Sequence, residues 1–261
     1  MRRSAPKTLF KFDRGKHMEV TYQSLDRVAL VTINRPQRGN SMNPAVVREL
    51  AQAWERFSGG DDLVAVITGA GNDAFCTGAD LKELPGEVWR ALPNFAVPTD
   101  KPVIAAVSGR AVGGGCTLAL YADMIVASES AQFIYPEAKI GIFQGIMGGF
   151  PRKLPYAAGL EWITTGDPMS AQRAYELGFV NKVCKTGEQV EAALEMARKI
   201  AASAPLVVQA MKHLALKTLP ANPMETFYPQ KGMLEAIARS QDAEEGLQAL
   251  RDKRDPVFKG C

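Results

Sequence analysis

The chain has 261 residues, 46% of them hydrophobic, which is enough for a substantial core in one large domain or in one domain with an appended helical piece. Lysine and arginine outnumber aspartate and glutamate by 31 to 28 and are scattered, so the sequence shows no basic footprint for nucleic acid. The 4 cysteines lack CxxC spacing and only 2 histidines are present, which predicts reduced intracellular thiols and disfavours zinc sites and histidine-based triads.

Residues 1–17 are basic, with six lysines and arginines against one acid, Asp13. This composition is typical of a frayed tail or of a targeting leader, and the tail is favoured because the apolar face of a transit helix is poorly developed. We therefore expect a disordered N-terminal tail and a cytoplasmic protein. If the segment is a leader, the expected location is a mitochondrial or other organelle matrix.

The next elements are a strand and a helix. A β-branched run predicts a strand over Val28–Ile33, and Asn43-Pro44 then supplies a helix cap with proline at the first helical position. Apolar residues recur every three or four positions after this cap, which predicts one face that packs on a sheet, before Gly59-Gly60 ends the helix. These residues are Val46, Leu50, Ala53 and Phe57.

Short apolar runs separated by helical stretches follow. Strands are predicted at 63–68, 103–107, 124–127 and 179–183, the segment 75–81 is expected to turn into a new helix, and another helix is expected to begin at a Ser170 cap. Strands that alternate with helices predict an α/β core with a sheet buried on both faces. The central run 103–107 is far too short to span a bilayer, so we expect a soluble protein without a membrane span.

The pattern after residue 188 is helical only. Helices are predicted at 188–203, 205–217, 223–239 and 243–253, with no Gly- or Ser-rich linker between them. Such a segment is expected to dock on the core or on a neighbouring subunit. We accordingly divide the chain into a tail at 1–17, a core domain at 18–187 and a C-terminal helical region for oligomerisation at 188–261.

The most informative stretch is a glycine run, Gly113 to Gly115, that opens an Ala- and Leu-rich helix. Bare backbone at a helix start leaves unpaired amides that carry partial positive charge, so N–H groups alone could hold a developing oxyanion there. Glu137 follows Thr117 by twenty residues, after a predicted strand, which allows a carboxylate to return to the same place. No serine lies in a GxSxG context, so a nucleophile elbow is absent.

Several stretches follow one another in a characteristic order and spacing: NRPQRGNSMN at 34–43, FCTGADLKE at 75–83, KPVIAAV at 101–107, GGGC at 113–116, AQF at 131–133 before PE at 136–137, TGDPMSA at 165–171 and GFVNKV at 178–183. By the order and spacing of these stretches, the chain resembles the crotonase, or enoyl-CoA hydratase/isomerase, superfamily from about residue 20 to residue 259.

The resemblance implies an α/β fold built as a spiral of ββα repeats with a C-terminal helical trimerisation region, assembled as a homotrimer or as a hexamer of two trimers. It implies an acyl-CoA thioester substrate, no separate cofactor because coenzyme A is part of the substrate, and no metal. By the same resemblance, the backbone amides of Ala79 and Gly114 form an oxyanion hole. Both were expected at helix starts.

Coenzyme A contacts carry over by resemblance to eight residues: Arg38, Ser41, Ala79, Asp80, Leu81, Lys82, Gly114 and Lys253. Two of them have equally good alternatives. Arg38 could be a solvated surface arginine, and Lys253 could be a helix-end cation that favours the helix dipole. Tyr135, Phe143 and Gln144 are predicted pocket walls, although aromatic residues at such places are more often core.

The two catalytic positions favour one branch of the superfamily. Hydratases of this superfamily carry two glutamates, and Thr117 stands at the first position, where a hydroxyl can hold water but cannot act as a base at neutral pH. Glu137 stands alone at the second position, which favours a Δ3,Δ2-enoyl-CoA isomerase. Dienoyl isomerases need an aspartate where Gly145 stands, and decarboxylating members typically lack the glutamate.

Alternatives to this assignment stay open. Glu137 could be a salt-bridged structural carboxylate, and Thr117 could be a threonine hydrogen-bonded to the backbone at a helix start. At the level of function, the chain could be an enoyl-CoA hydratase in which Thr117 and Glu137 hold the water. It could also be a non-catalytic acyl-CoA-binding scaffold, because a fold alone does not guarantee activity.

Overall fold

A computed structural model describes residues 18–143, 145–219 and 231–260. The predicted N-terminal tail, Gln144, Cys261 and the first part of the helix expected at 223–239 lie outside the described residues. Cys76, Cys116 and Cys184 are free thiols. None of the helices that the structure describes is both long and apolar enough to cross a membrane.

The described residues form ten strands, eight α-helices and three 3₁₀ helices. The strands are β1 Val20–Leu25, β2 Val28–Ile33, β3 Val64–Gly69, β4 Ala74–Cys76, β5 Val103–Val107, β6 Arg110–Val112, β7 Met124–Ser128, β8 Gln132–Ile134, β9 Met169–Ser170 and β10 Lys182–Cys184. The α-helices are α1 Pro44–Gly59, α2 Gly114–Tyr121, α3 Tyr156–Thr165, α4 Ala171–Glu176, α5 Gln189–Ala201, α6 Pro205–Thr218, α7 Lys231–Ala238 and α8 Gln241–Asp252. The 3₁₀ helices are Pro36–Arg38, Val88–Ala91 and Ile146–Arg152.

The strands form two sheets, and both sheets gain strands as the chain advances. The larger has the order β1-β2-β3-β5-β7-β10, and the smaller has the order β4-β6-β8-β9. The pairs β1–β2 and β8–β9 are antiparallel and the remaining pairs are parallel. Each of the pairs β3–β4, β5–β6 and β7–β8 adds one strand to each sheet, so the expected spiral of ββα repeats is confirmed.

Both faces of the larger sheet are covered. The apolar stripe predicted for α1 is buried on one side, and Ala193, Leu194 and Ala197 of α5 pack against Val64 and Val66 on the other. Every residue of β3 and β5 is buried, which explains why these strands appear in the sequence as uninterrupted apolar runs. The limits predicted for the core domain and the C-terminal region stay predictions.

The caps expected from the sequence are present. The Asn43 side chain accepts a hydrogen bond from the Val46 amide at 2.9 Å with Pro44 at the first helical position. The Ser170 hydroxyl accepts one from the Arg173 amide at 3.2 Å and begins α4. These local bonds fix where α1 and α4 start.

Two expectations were wrong. The strand predicted at 179–183 is Lys182–Cys184, because Phe179 and Val180 belong to the turn that closes α4, with the Phe179 amide bonded to the Ala174 carbonyl at 2.9 Å. The helix expected after the segment 75–81 is absent, because no α-helix begins there in the part of the chain that the structure describes. The Asp80 carboxylate accepts the Lys82 amide at 3.0 Å in a local turn, and Pro85-Gly86 precede the short 3₁₀ helix Val88–Ala91.

Candidate active site

The chain turns sharply just after β4. Gly78 has φ +85°, and a Cβ added there would lie 2.9 Å from the Val112 carbonyl oxygen and 3.3 Å from the Gly114 nitrogen. Only glycine permits this combination of dihedral angle and close approach. The turn therefore places the residue that follows it, Ala79, beside the start of α2.

The two predicted amides lie side by side but do not have the same origin. Gly114 is the first residue of α2, whereas Ala79 lies in a loop that bridges to Met42, so the expectation of a helix start at Ala79 was wrong. Among the described residues, neither the Ala79 nor the Gly114 amide donates a hydrogen bond. Two free N–H groups in adjacent backbone are what a developing oxyanion needs.

The far end of α2 is fixed by two side chains. The Lys153 ammonium donates to the carbonyl oxygens of Ala119 at 3.4 Å and of Ala122, and the Tyr121 hydroxyl donates to the Ile146 carbonyl at 2.9 Å. Burial lowers the pKa of Lys153 to about 8. The Lys153 bonds satisfy carbonyls that the end of α2 leaves unpaired, and the Tyr121 bond ties the same end to the segment that begins at Ile146, so this short helix is held at its carboxyl end.

Glu137 follows β8 and faces the glycine run. A Cβ added to Gly113, which has φ +52°, would lie 2.8 Å from Glu137 Oε1, so the carboxylate rests on bare backbone. Oε2 is buried and has no hydrogen-bond partner among the described residues. Burial raises the pKa of Glu137 from 4.5 to about 8.

The structure argues against the alternative that Glu137 is a salt-bridged structural carboxylate. A salt-bridged structural carboxylate would have a cationic partner, and within the described part of the chain Glu137 forms no ion pair. A carboxyl group with no cationic partner and with one buried oxygen left without a hydrogen bond costs folding free energy and is typical of a functional position.

Thr117 lies in the first turn of α2, with 4% of its surface exposed. Its hydroxyl donates a hydrogen bond to the Gly114 carbonyl at 2.7 Å, as the backbone-bonded alternative expected. The hydroxyl hydrogen is thus engaged, while the oxygen lone pairs remain able to accept a bond from water.

Nine of the ten predicted site residues line one cavity of about 620 Å³, which we call the first cavity. They are Arg38, Ser41, Ala79, Asp80, Leu81, Lys82, Gly114, Thr117 and Glu137. The remaining wall is largely apolar, from Leu84, Val88, Val112, Tyr135, Ile140, Ile142, Ile146 and Leu250. A volume within the usual range for ligand sites, with few polar groups around it, fits a small-molecule pocket.

Comparison with known proteins decides the family. Residues 24–261 match the family model for enoyl-CoA hydratase/isomerase. The chain belongs to the enoyl-CoA hydratase/isomerase family. It is 36% identical over 261 residues to (E)-benzylidenesuccinyl-CoA hydratase of Thauera aromatica, covering 94% of this chain and 100% of the relative. It is 40% identical over 246 residues to carnitinyl-CoA dehydratase of Salmonella typhimurium, covering 88% of this chain and 94% of the relative.

Solved structures agree on the fold. Carnitinyl-CoA hydratase from Mycobacterium avium superposes with a TM-score of 0.85 at 37% identity, over 94% of this chain and 100% of that chain. A methylmalonyl CoA decarboxylase superposes with a TM-score of 0.80 at 25% identity, again over 94% and 100% of the two chains. The same architecture therefore supports different reactions, and the reaction must be argued from the site.

In this family member an ion-pair cluster holds the loop that carries Ala79. Asp80 accepts from Arg38 Nη2 at 2.9 and 3.0 Å and from Arg35 Nη2 at 3.3 Å, and only 3% of its side chain is exposed. Burial alone would raise the pKa of Asp80, but the Lys82 amide and the two guanidinium groups outweigh it and lower the pKa to about 2. Asp80 thus connects the loop to the arginines, and Arg38 is an ion-paired residue of the cavity wall.

Lys253 is the one predicted site residue that does not line the first cavity. It is exposed and terminates α8 in a left-handed conformation with φ +55°. This position corresponds to the helix-end alternative, and its contact with coenzyme A stays a prediction. The same helix does contribute Leu250 to the cavity.

Several residues of the candidate active site were not predicted from the sequence. Arg35 lies in the NRP stretch and could have been found as a cation next to Arg38, but its partner Asp80 is 45 positions away. Val88, Ile140 and Ile146 carry no chemical signal that distinguishes a cavity wall from core. Tyr135 lines the first cavity as predicted, and Phe143 lines a neighbouring one.

Proposed function

We propose that this acyl-CoA enzyme catalyses reversible hydration of an enoyl-CoA thioester, with Glu137 as its single acid/base. The observation that carries the proposal is the Glu137 carboxyl group, whose buried Oε2 has no hydrogen-bond partner among the described residues, in the cavity that also holds the free amides of Ala79 and Gly114. This arrangement supplies a proton carrier and an oxyanion site to one ligand. The substrate class is a 2-enoyl-CoA or, in the reverse direction, a 3-hydroxyacyl-CoA.

The two amides act on the thioester carbonyl oxygen. As water adds to the β carbon, the electron pair of the double bond moves toward this oxygen and forms an enolate. Preorganised N–H donors stabilise that charge in a site with little water, and losing one such donor typically costs about 3–4 kcal/mol of transition-state stabilisation.

Glu137 moves the proton. Its carboxylate takes a proton from water while the water oxygen bonds to the β carbon, and the resulting carboxyl group then delivers that proton to the α carbon. One O–H bond breaks, one C–O and one C–H bond form, and Glu137 returns to its starting state. A second carboxylate is unnecessary because the same group removes and returns the proton.

Thr117 holds the water in this scheme. Its hydroxyl hydrogen is engaged by the Gly114 carbonyl, so the oxygen acts as an acceptor for a water O–H. Thr117 cannot ionise at neutral pH and therefore orients the water without activating it. The names of the relatives, a hydratase and a dehydratase at 36% and 40% identity, support water chemistry over the isomerisation that the sequence favoured.

The second candidate is Δ3,Δ2-enoyl-CoA isomerisation. One observation favours it. Among the described residues of the first cavity, Glu137 is the carboxylate free of ion pairs, and Thr117 stands at the position where hydratases of the superfamily carry their other glutamate. In this reaction Glu137 removes a proton from the α carbon of a 3-enoyl thioester and returns it to the γ carbon, while the same amides hold the enolate.

The test uses two substrates and one spectroscopic signal. Hydration of crotonyl-CoA removes the absorbance of the conjugated thioester and adds the mass of one water, whereas isomerisation of 3-hexenoyl-CoA creates that absorbance at constant mass. We expect Glu137→Gln to reduce either activity by about 10²- to 10⁴-fold. The matched control is Glu161→Gln, which changes an exposed glutamate on α3.

The outcomes separate the candidates. Normal turnover by Glu137→Gln would overturn the proposed role of Glu137. Absorbance gained from 3-hexenoyl-CoA, with crotonyl-CoA unchanged, would replace hydration by isomerisation. Tight acyl-CoA binding that survives Glu137→Ala, without turnover of any thioester, would indicate a non-catalytic binding scaffold.

A further inference from the structure

A second cavity of about 620 Å³ adjoins the first at Glu137. The two cavities share Tyr135, Glu137 and Ile142 as wall residues. Glu137 therefore stands at a junction, with the oxyanion amides on one side and a separate space on the other. No sequence pattern indicated this second space.

The second cavity is bounded by apolar side chains from two regions of the chain. Phe143 and Ile163 are partly buried against the main core, and Ile237 of α7 and Phe258 contribute the facing wall. A wall made of aromatic and branched aliphatic groups favours an apolar ligand, because burial of apolar surface is its main source of affinity.

Besides Glu137, this cavity is lined by the acidic residue Asp242, whose oxygens are already hydrogen-bonded. Asp242 accepts the backbone amides of Lys259 at 2.6 Å and Gly260 at 2.7 Å, and Glu245 accepts the Val257 amide at 2.8 Å. These bonds hold the segment around Phe258 against the helices. Because the Asp242 oxygens bind backbone, they are not free to attract a cationic ligand group.

We propose that the second cavity takes the part of the acyl group beyond the β carbon, so that the enzyme acts on enoyl-CoA thioesters with long or bulky apolar acyl groups. This inference rests on the proposed function. The α and β carbons must lie at Glu137, and the coenzyme arm must run through the first cavity past Ala79 and Gly114. The remainder of the acyl group then continues into the space that adjoins Glu137 on its other side.

The proposal predicts a dependence on chain length. Each methylene that enters an apolar cavity increases binding about fourfold. Affinity for saturated acyl-CoA thioesters should therefore rise from butyryl-CoA to decanoyl-CoA by well over tenfold. Saturated thioesters cannot be hydrated or isomerised, so their binding is measured without reference to the reaction.

The decisive variant is Ala236→Phe. Ala236 lies on α7, lines the second cavity and is exposed, so a larger side chain fills space there without entering the core. The matched control is Ala238→Phe, on the same helix, exposed and not part of the cavity wall. Binding of butyryl-CoA and decanoyl-CoA is measured by calorimetry for the full chain and both variants.

We expect Ala236→Phe to lower the preference for decanoyl-CoA over butyryl-CoA by about tenfold or more, leaving butyryl-CoA binding unchanged, while Ala238→Phe keeps the preference. Equal binding of the two thioesters by the unmodified protein, or identical behaviour of the two variants, would overturn the inference and leave the proposed function standing. Failure to bind any acyl-CoA would overturn both.

Discussion

At the scale of single residues, the pKa of Glu137 predicts how activity depends on pH. In both directions of hydration the reaction starts from the carboxylate, and burial raises the pKa of this group to about 8. We expect kcat/KM to rise about tenfold per pH unit below 8 and to level off above it. A profile measured on crotonyl-CoA that is flat from about pH 5 to pH 9 would contradict this.

The Glu137 carboxyl group also affects stability: as the pH rises, its ionisation increases activity but lowers the free energy of unfolding. A carboxyl whose folded pKa lies above its unfolded value opposes folding once the pH exceeds the ordinary 4.5, and the effect grows until the pH passes about 8. Glu137→Gln removes the charge and nearly preserves the shape. Thermal unfolding should therefore show a higher Tm for the variant at pH 8 and little difference at pH 4, whereas an equal shift at both pH values would refute this explanation.

Asp80 is the second residue with a clear expectation. Asp80→Asn removes the carboxylate that pairs with Arg38 and with the buried Arg35. Arg35 keeps its ion pair with Glu19 at 3.1 Å, so we expect a cost below the value of about 3–5 kcal/mol that is typical of leaving a buried charge unpaired. We expect a lower Tm and, because the Ala79 loop loses its anchor, a lower kcat. Exposed Asp167→Asn serves as the control, since its pair with Lys139 is on the surface. A wild-type kcat in a destabilised Asp80→Asn protein would limit Asp80 to a structural role.

At the scale of elements, α8 supports the loop that carries Glu137 through direct backbone contact. A Cβ added to Gly246 would lie 2.2 Å from the Ile140 carbonyl oxygen, and one added to Gly141 would lie 2.6 Å from the Asp242 carbonyl oxygen. Two glycines thus let a helix and a loop approach closely, only a few residues after Glu137.

Gly246→Ala should push α8 away from the loop that carries Glu137. Overpacking of this kind typically costs about 1–3 kcal/mol, and displacement of the loop should lower kcat more than it weakens thioester binding. Gly232→Ala on α7 is the control, because nothing lies within 4 Å of the added Cβ and alanine favours the helix by roughly 0.5–1 kcal/mol. Equal kinetics of the two variants would show that α8 does not position Glu137.

At the scale of the whole molecule, α6 presents an apolar face with no partner among the described residues. Leu206, Val207, Met211 and Leu214 are 51–81% exposed, while Lys212 anchors the helix from another side through a 2.8 Å bond to Asp123. This face is where we propose that copies of the chain associate as a trimer or hexamer.

Met211→Glu should weaken that association, because a charge would be buried in an apolar contact. Light scattering after gel filtration should show a smaller species than for the unmodified protein. Gln172→Glu adds a negative charge on exposed α4 and should leave the assembly unchanged. A monomeric unmodified protein, or no effect of Met211→Glu, would remove α6 as the contact.

The sequence predicted what depends on neighbouring residues. The strands β2 and β5, the Asn43 and Ser170 caps and the glycine run before α2 follow from local chemistry. The wrong prediction of a strand at 179–183 also came from local sequence. The apolar residues Phe179 and Val180 are typical of a buried strand, but the Phe179 amide closes the last turn of a helix. Ala79 was placed by resemblance, because its free amide depends on a turn that meets Gly114 in space.

The remaining features depend on contacts that periodicity cannot encode. Arg35 and Asp80 are far apart in the chain, and the isolation of Glu137 Oε2 depends on everything around it. The second cavity needs Ile163, Ile237 and Phe258 to meet around one space, although each alone looks like ordinary core or surface. Such features follow from the packed structure and carry no local signal.

The reacting groups and the acyl wall come from different parts of the chain. Ala79, Gly114 and Glu137 belong to consecutive repeats of the spiral, whereas Ile237, Leu250 and Phe258 come from the C-terminal segment. The contact between these parts near Glu137 is made by the glycine backbone of residues 141 and 246. A chimera that keeps both glycines could therefore inherit its chemistry from one parent and its choice of acyl group from the other.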